Sequence, residues 1–346
     1  MPVLAAFGSR SAEGFVGSGG VVDSTVIAVA HSTTPYVSAY PWSISGFGTK
    51  YSNPSTLPSE AGQDIAFSPS GLAVAIAHGL SPYISAYPWS SGFGTKYSDP
   101  STLPSDLGSG AAFSPSGNDI AVGHQLTPFL SVYPWSSGFG SKYANPATLP
   151  AGKGNGVTFS PSGNVVAVAH VTTPFISTYP WSSGFGSKYA NPATLPTGNA
   201  QAVAFSPSGN DIAVAHVTTP AISAYPWSSG FGSKYSNPAS LPGGGTGCNG
   251  VAFDRTGASI GVGHFTSPYI TAYPWSSGFG SKYTNPATLP TGTGNRVAFS
   301  KSGENVALAH ASTPFVSVYP WSSGFGAKYS NPGTLPTGPG GGVAFN

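Results

Sequence analysis

The sequence predicts an all-β fold, a seven-bladed β-propeller built from four-stranded blades. Two observations carry that prediction. First, the seven histidines recur as His31, His78, His124, His170, His216, His264 and His310, in steps of 47, 46, 46, 46, 48 and 46 residues. A tryptophan stands 11 residues after each of them, from Trp42 to Trp321. Second, no segment shows a 3.6-residue apolar period, and Pro or Gly interrupts the chain about every ten residues. A unit of this length with four short strands is a propeller blade, and propellers carry roughly four to eight of them.

Val203–Pro242 shows the unit element by element. VAF (Val203–Phe205) reads as the first strand and runs into a Ser-Pro-Ser-Gly turn at Ser206–Gly209. DIAVAH (Asp211–His216) reads as the second strand, with Ile212, Val214 and His216 on one face and alanines on the other. AISAY (Ala221–Tyr225) follows a Thr-Pro entry as the third. Pro226 ends or bulges it, having no N–H for a ladder. FGSKY (Phe231–Tyr235), before an Asn-Pro stop, reads as the fourth. The alternating Ala and Val/Ile side chains suit sheets packed face to face.

The repeats begin at a second strand, Val26–His31, and end on an orphan first strand, Gly342–Asn346. The C-terminal strand is therefore expected to complete the first blade and close the ring, which removes two open edges at once. The rival donor is Val3–Phe7. Residues 1–24 lie outside the repeat and read as a Gly/Ser-rich arm, with the propeller spanning 25–346 and contacts to a partner expected through the arm.

Composition narrows the function classes. Charged residues are 6% and the net charge is +2, with no basic stripe, so nucleic-acid binding has little electrostatic support. Cys248 is the single cysteine, which leaves no internal disulfide framework. No apolar run reaches membrane-spanning length. The N-terminus has no basic region before its apolar run, so no signal peptide is expected.

The run VAFSPSG followed by an [IV]-AVAH strand resembles the strand pair of WD40-type repeats, across residues 25–346. YPW stands where that family has Trp-Asp, and the Gly-His dipeptide before the first strand is missing, so the family's Asp–His–Ser/Thr–Trp network does not carry over. The near-identical YPWSSGFG and NPATLP motifs resemble repeats in virion proteins of tailed bacteriophages. That resemblance implies a virion part: a head decoration, tail or host-attachment protein made in a host cytoplasm. Its partners would be other virion proteins or a host-surface glycan or receptor.

Candidate chemistry is sparse. The acidic residues look scattered, with Asp64, Asp119, Asp211 and Glu304 near turns and Asp99 and Asp106 in loops. None recurs in every unit, and phosphate-loop, zinc and calcium patterns are absent, so no enzyme, metal or cofactor is expected. The histidine ring sits too far from the axis to share one ion. It reads as a structural imidazole bonded to a strand or loop carbonyl, with pH sensing as the functional alternative. Lys50, Lys96, Lys142, Lys188, Lys234, Lys282 and Lys328 read as guards of the outer edge, or as contacts for an anionic partner. The octamer YPWSSGFG joins the third and fourth strands on the face opposite the histidines. Its aromatic residues read as a seal between blades. The alternative is a binding surface made of Trp42, Trp89, Trp135, Trp181, Trp227, Trp275 and Trp321. The reading drawn from the residues and the resemblance is a non-enzymatic structural and interaction protein; the alternative is a multivalent lectin with one aromatic site per blade.

Overall fold

The computed structural model describes residues 25–346; the N-terminal arm and the rival strand Val3–Phe7 lie outside the described residues. Seven antiparallel sheets follow one another along the chain. In each, a first strand pairs with a second and the second with a third, as in Ala200–Phe205, Asp211–His216 and Ile222–Pro226. The first strands contact those of the neighbouring sheets in ring order, which makes them the inner strands of a propeller. Among the described residues the one helical turn is a 3₁₀ turn at Pro242–Gly245, where blade six carries its extra residues.

The ring closes as the repeat phase requires. Gly340–Phe345 pairs antiparallel with Val26–His31, with Val29 opposite Val343 and Ile27 opposite Phe345. Blade one is thus assembled from both ends of the repeat region. The inner strands are longer than their VAF core: each runs six residues, and each carries a register shift after its first residue, as between Gly62 and Asp64.

The fourth strand departs from expectation. Regular pairing survives only in blade one, where Gly46–Phe47 pairs with Trp42 and Ser43. Elsewhere the segment after the octamer runs beside the third strand through isolated bonds. In blade four, for example, Gly186 N donates to Pro180 O at 2.9 Å and Tyr189 N donates to Thr178 O at 2.9 Å. The proline that closes every third strand removes a ladder donor, and the glycines let the chain swing away between the remaining bonds. In this outer segment each lysine bonds an acceptor three residues on, in the Asn-Pro or Asp-Pro stop: Lys282 donates to Asn285 Oδ1 at 2.7 Å, and Lys96 forms an ion pair with Asp99.

The core is a ring of slabs, one at each blade junction. Ala121, Leu130 and Val132 of blade three meet Val157, Phe159, Val166, Val168, Tyr179 and Trp181 of blade four. The same pattern closes blade seven onto blade one through Val316, Val318, Ile27, Val29, Tyr40 and Trp42. Small residues on one face leave room for the bulky residues of the next sheet, which explains the alternation of Ala with Val and Ile along the second strands.

The octamer supplies the pins of each junction. Its tyrosine is fully buried in all seven blades, and its hydroxyl donates to a carbonyl in the preceding unit's Pro-x-[TS]-Leu-Pro loop. Tyr179 Oη reaches Thr148 O at 2.9 Å and Tyr225 Oη reaches Thr194 O at 2.8 Å. Its tryptophans are 3–8% exposed, so their rings lie inside the packing rather than on a surface. Trp181 sits edge-on to Phe185 and Phe159 of its own blade and to Tyr143 of the previous one, at centroid distances of 5.0, 5.8 and 5.0 Å. The indole Nε1 donates to Asp119 Oδ2 at 3.1 Å, and Tyr143 donates to the other oxygen at 2.9 Å. Ser183 and Gly184 both have positive φ, 52° and 156°, which turns the chain back, and Gly186 then stands over Pro180, where a Cβ would come within 2.9 Å of the ring.

Two outcomes are expected. Trp181→Ala lowers stability by about 3–5 kcal/mol in denaturant titration, the range for large buried aromatics. Removal of Gly340–Asn346 takes the inner strand from blade one, and a Tm well below that of the full chain is expected in calorimetry.

Candidate functional site

The histidines, the first sequence-level candidates, do not converge. Each ends a second strand, is buried, and shares a hydrogen bond between Nε2 and a hydroxyl on the adjacent third strand: His78 with Ser85 at 2.9 Å, His170 with Ser177 at 3.0 Å, His264 with Thr271 at 2.7 Å. The Nε2 partner is thus a side-chain hydroxyl, and the expected loop carbonyl is met by Nδ1 in blade six, where His264 bonds Thr266 O at 2.8 Å. Burial pulls all seven imidazoles down to about 4, so they are neutral near neutral pH. A folded-state value below the unfolded value of about 6.5 means that the unfolded chain takes up protons first. The stability held by this arrangement is complete above about pH 6.5 and is lost as pH falls toward 4. Seven groups act together, so Tm is expected to drop by roughly 10 °C or more across that window, read by circular dichroism.

The side chains that do converge come from the inner strands. At the second residue of each inner strand the register shift is a β-bulge, and bulges re-aim side chains. The bulged residues are Gln63, Ser109, Asn155, Gln201, Asn249, Asn295 and, in the closing strand, Gly341. All seven line one cavity of about 290 Å³ at the mouth of the axial channel, on the histidine side of the disc. Three amides brace neighbouring blades: Asn155 Nδ2 donates to Ala200 O at 2.9 Å, Asn249 Nδ2 to Asn295 Oδ1 at 3.0 Å, and Asn295 Nδ2 to Gly340 O at 2.7 Å.

The next residue of each inner strand faces the neighbouring inner strand at close range. A Cβ on Gly156 would come within 2.9 Å of Ala202 Cα, and one on Gly342 within 2.8 Å of Asp64 Cα. Five of these seven positions are Gly or Ala; the other two are Asp64 and Arg296. Arg296 reaches across the axis. Nη1 donates to Asn249 O at 2.8 Å and Asn295 O at 3.2 Å, and Nη2 donates to Asn155 O at 3.3 Å. Its Nε lies 3.8 Å from Asp64 Oδ1, with the two side chains 18% and 17% exposed. Asp64 Oδ2 accepts from Ala111 N at 3.2 Å. Burial pushes the Asp64 carboxyl above the usual carboxylate range, and Arg296 and the Ala111 and Ile65 amides offset part of that rise.

Asp64 therefore lies inside a strand, at the channel mouth, and not near a turn. Sequence reasoning missed the pair because it looked for groups repeated in every blade. The signal was the reverse: among near-identical units, the second and third residues of the inner strand are where the blades differ in polarity and charge. The tryptophans lie elsewhere, at the blade junctions, and do not contribute to this site.

No family model matches the chain, and no curated protein matches it. Solved structures do share its shape. A protein of Bacteroides uniformis named as a candidate 6-phosphogluconolactonase superposes with a TM-score of 0.69, over 94% of this chain and 100% of its own, at 12% identity. The periplasmic gluconolactonase of Pseudomonas aeruginosa gives 0.68, over 92% and 98%, at 13% identity. A protein from Lactobacillus plantarum gives 0.70, over 94% and 100%, at 12% identity. At these identities the likeness establishes the seven-bladed fold. It also corrects the functional expectation. Proteins named for lactone chemistry stand among the structures of this shape, and neither the virion reading nor the exclusion of enzymes finds support. The virion location and virion partners fall with it; among the described residues no helix is long and apolar enough to cross a membrane.

Proposed function

We propose that the channel mouth binds a small polyhydroxylated cyclic ester and hydrolyses it, as a lactonase of sugar-acid lactones. The observation that carries this reading is the Asp64–Arg296 pair, the one acid–cation pair in a polar ring whose equivalent positions are otherwise Gly or Ala. A carboxyl with an elevated pKa and a fixed cation beside it are the two groups that ester hydrolysis needs. The amide ring offers donors and acceptors for hydroxyl groups, and a cavity of about 290 Å³ suits a single sugar ring. The names of the structural neighbours favour the same substrate class.

The chemistry follows from the placement. Asp64 as carboxylate takes a proton from water, the hydroxide attacks the lactone carbonyl, and Arg296 stabilises the negative charge that develops on the carbonyl oxygen. When the ring C–O bond breaks, the leaving alkoxide takes the proton back from Asp64, giving the hydroxy acid. The base must be ionised, so activity falls with acid, and the raised pKa of Asp64 places that fall above the ordinary carboxylate range.

The test is acid release from gluconolactone and its 6-phosphate in a pH-stat. Catalysed hydrolysis is expected, with Asp64→Asn lowering kcat by about 10²–10⁴-fold and Arg296→Ala lowering kcat/KM. Alanine already stands at the equivalent Ala202, so Arg296→Ala is expected to fold. Hydrolysis no faster than the buffer background for both lactones rules the reading out.

A further inference from the structure

We infer a second ligand site at the opposite mouth of the axial channel, which takes an organic anion with a flat apolar body, such as an aryl carboxylate. The inner strands run six residues from the amide ring to this end, about 20 Å at strand rise, so it is separate from the Asp64–Arg296 site.

The turn that follows each inner strand is built alike in blades two to five, as Ser-Pro-Ser-Gly with Pro69, Pro115, Pro161 and Pro207 at its second position. Blades six and seven break the pattern at that same position, with Arg255 and Lys301. The geometry brings them together. From blade two to blade six the second residue leans on the next blade's turn glycine: Pro207 Cδ lies 3.4 Å from a Cβ built on Gly257, and Arg255 Cβ lies 3.3 Å from one built on Gly303. Arg255 is thereby set against the turn that carries Lys301. Burial and then the Arg255 charge pull the Lys301 ammonium below its ordinary value, which fits that closeness.

Both cations line a cavity of about 350 Å³, whose other walls include Pro161, Pro207, Phe205, Phe253 and Phe299. The nearby acid, Asp254, is 5% exposed and engaged within its own turn. Its oxygens accept from Thr256 Oγ1 at 3.1 and 3.0 Å, and Oδ1 accepts from Ser259 N at 3.1 Å. Arg255 and Lys301 thus line the cavity together with one acid, and that acid holds its turn. Positive charge above a proline and phenylalanine wall selects an anionic head on an apolar ring, where a bare inorganic anion leaves the wall uncovered.

The experiment is isothermal titration of the full chain with benzoate, inorganic phosphate and benzyl alcohol. Benzoate is expected to bind at about millimolar Kd and to weaken with added salt. Phosphate and benzyl alcohol are each expected to bind at least about tenfold more weakly, for want of the ring or the charge. Combining Arg255→Pro with Lys301→Pro restores the proline that four sibling turns already use, so the fold is kept and benzoate affinity drops by about tenfold or more. Should that variant melt early, Arg255→Gln with Lys301→Gln removes the charges without touching the backbone. Gluconolactone hydrolysis is expected to be unchanged in either variant. Benzoate binding undiminished in the charge-free variants, phosphate binding as tight as benzoate, or no benzoate binding by the parent chain would each overturn the inference.

Discussion

Everything in this molecule depends on the contact between one blade's small-residue face and the next blade's bulky face, pinned by the octamer's tyrosine and tryptophan. A three-stranded sheet of this size cannot stand alone, because its apolar residues are exposed on both faces. Each sheet is stable only as a layer between two others. The buried tyrosine bonds a carbonyl of the preceding unit, and the tryptophan fills the gap between inner strand, outer segment and neighbouring blade. Repetition of the octamer is therefore repetition of a joint. Ring closure through Gly340–Phe345 follows from the same need, since an unclosed ring leaves one slab uncovered.

Because the joints carry the fold, the channel mouth is free to vary. The bulge in each inner strand delivers one side chain to the axis without disturbing the slab behind it. That separation lets seven near-identical units present seven different residues at one end of the channel. It also fits the placement of the arginines: two of the three, Arg255 and Arg296, stand at the two ends of the channel.

The histidine belt belongs to the joints and not to the site. Its imidazoles are neutral, buried and tied to hydroxyls of their own blades, so they register acid as a loss of stability. Asp64 and Arg296 obey the opposite logic. They are partly exposed, unlike their counterparts in the other blades, and Arg296 offsets part of the rise of the Asp64 carboxyl across a ring assembled from distant parts of the chain.

The sequence by itself determined the blade number, the pairing of the first three strands within each unit, the Ala-against-Val/Ile alternation and the phase of closure. All of these follow from local periods and from the count of repeats. The VAF strand core and the Ser-Pro-Ser-Gly turn were legible because turn chemistry is written in adjacent residues. The tertiary structure decided what periodicity cannot encode. It showed that the fourth strand survives as isolated bonds, because the closing proline and the glycines break its ladder. It aimed Gln63, Asn155 and their counterparts into the channel, because a bulge is a property of pairing and not of one strand. It brought Asp64 and Arg296, from opposite ends of the repeat region, within 3.8 Å. Only a closed ring sets blades two and seven on either side of blade one, so the one acid–cation pair of the channel could not be read from either segment alone.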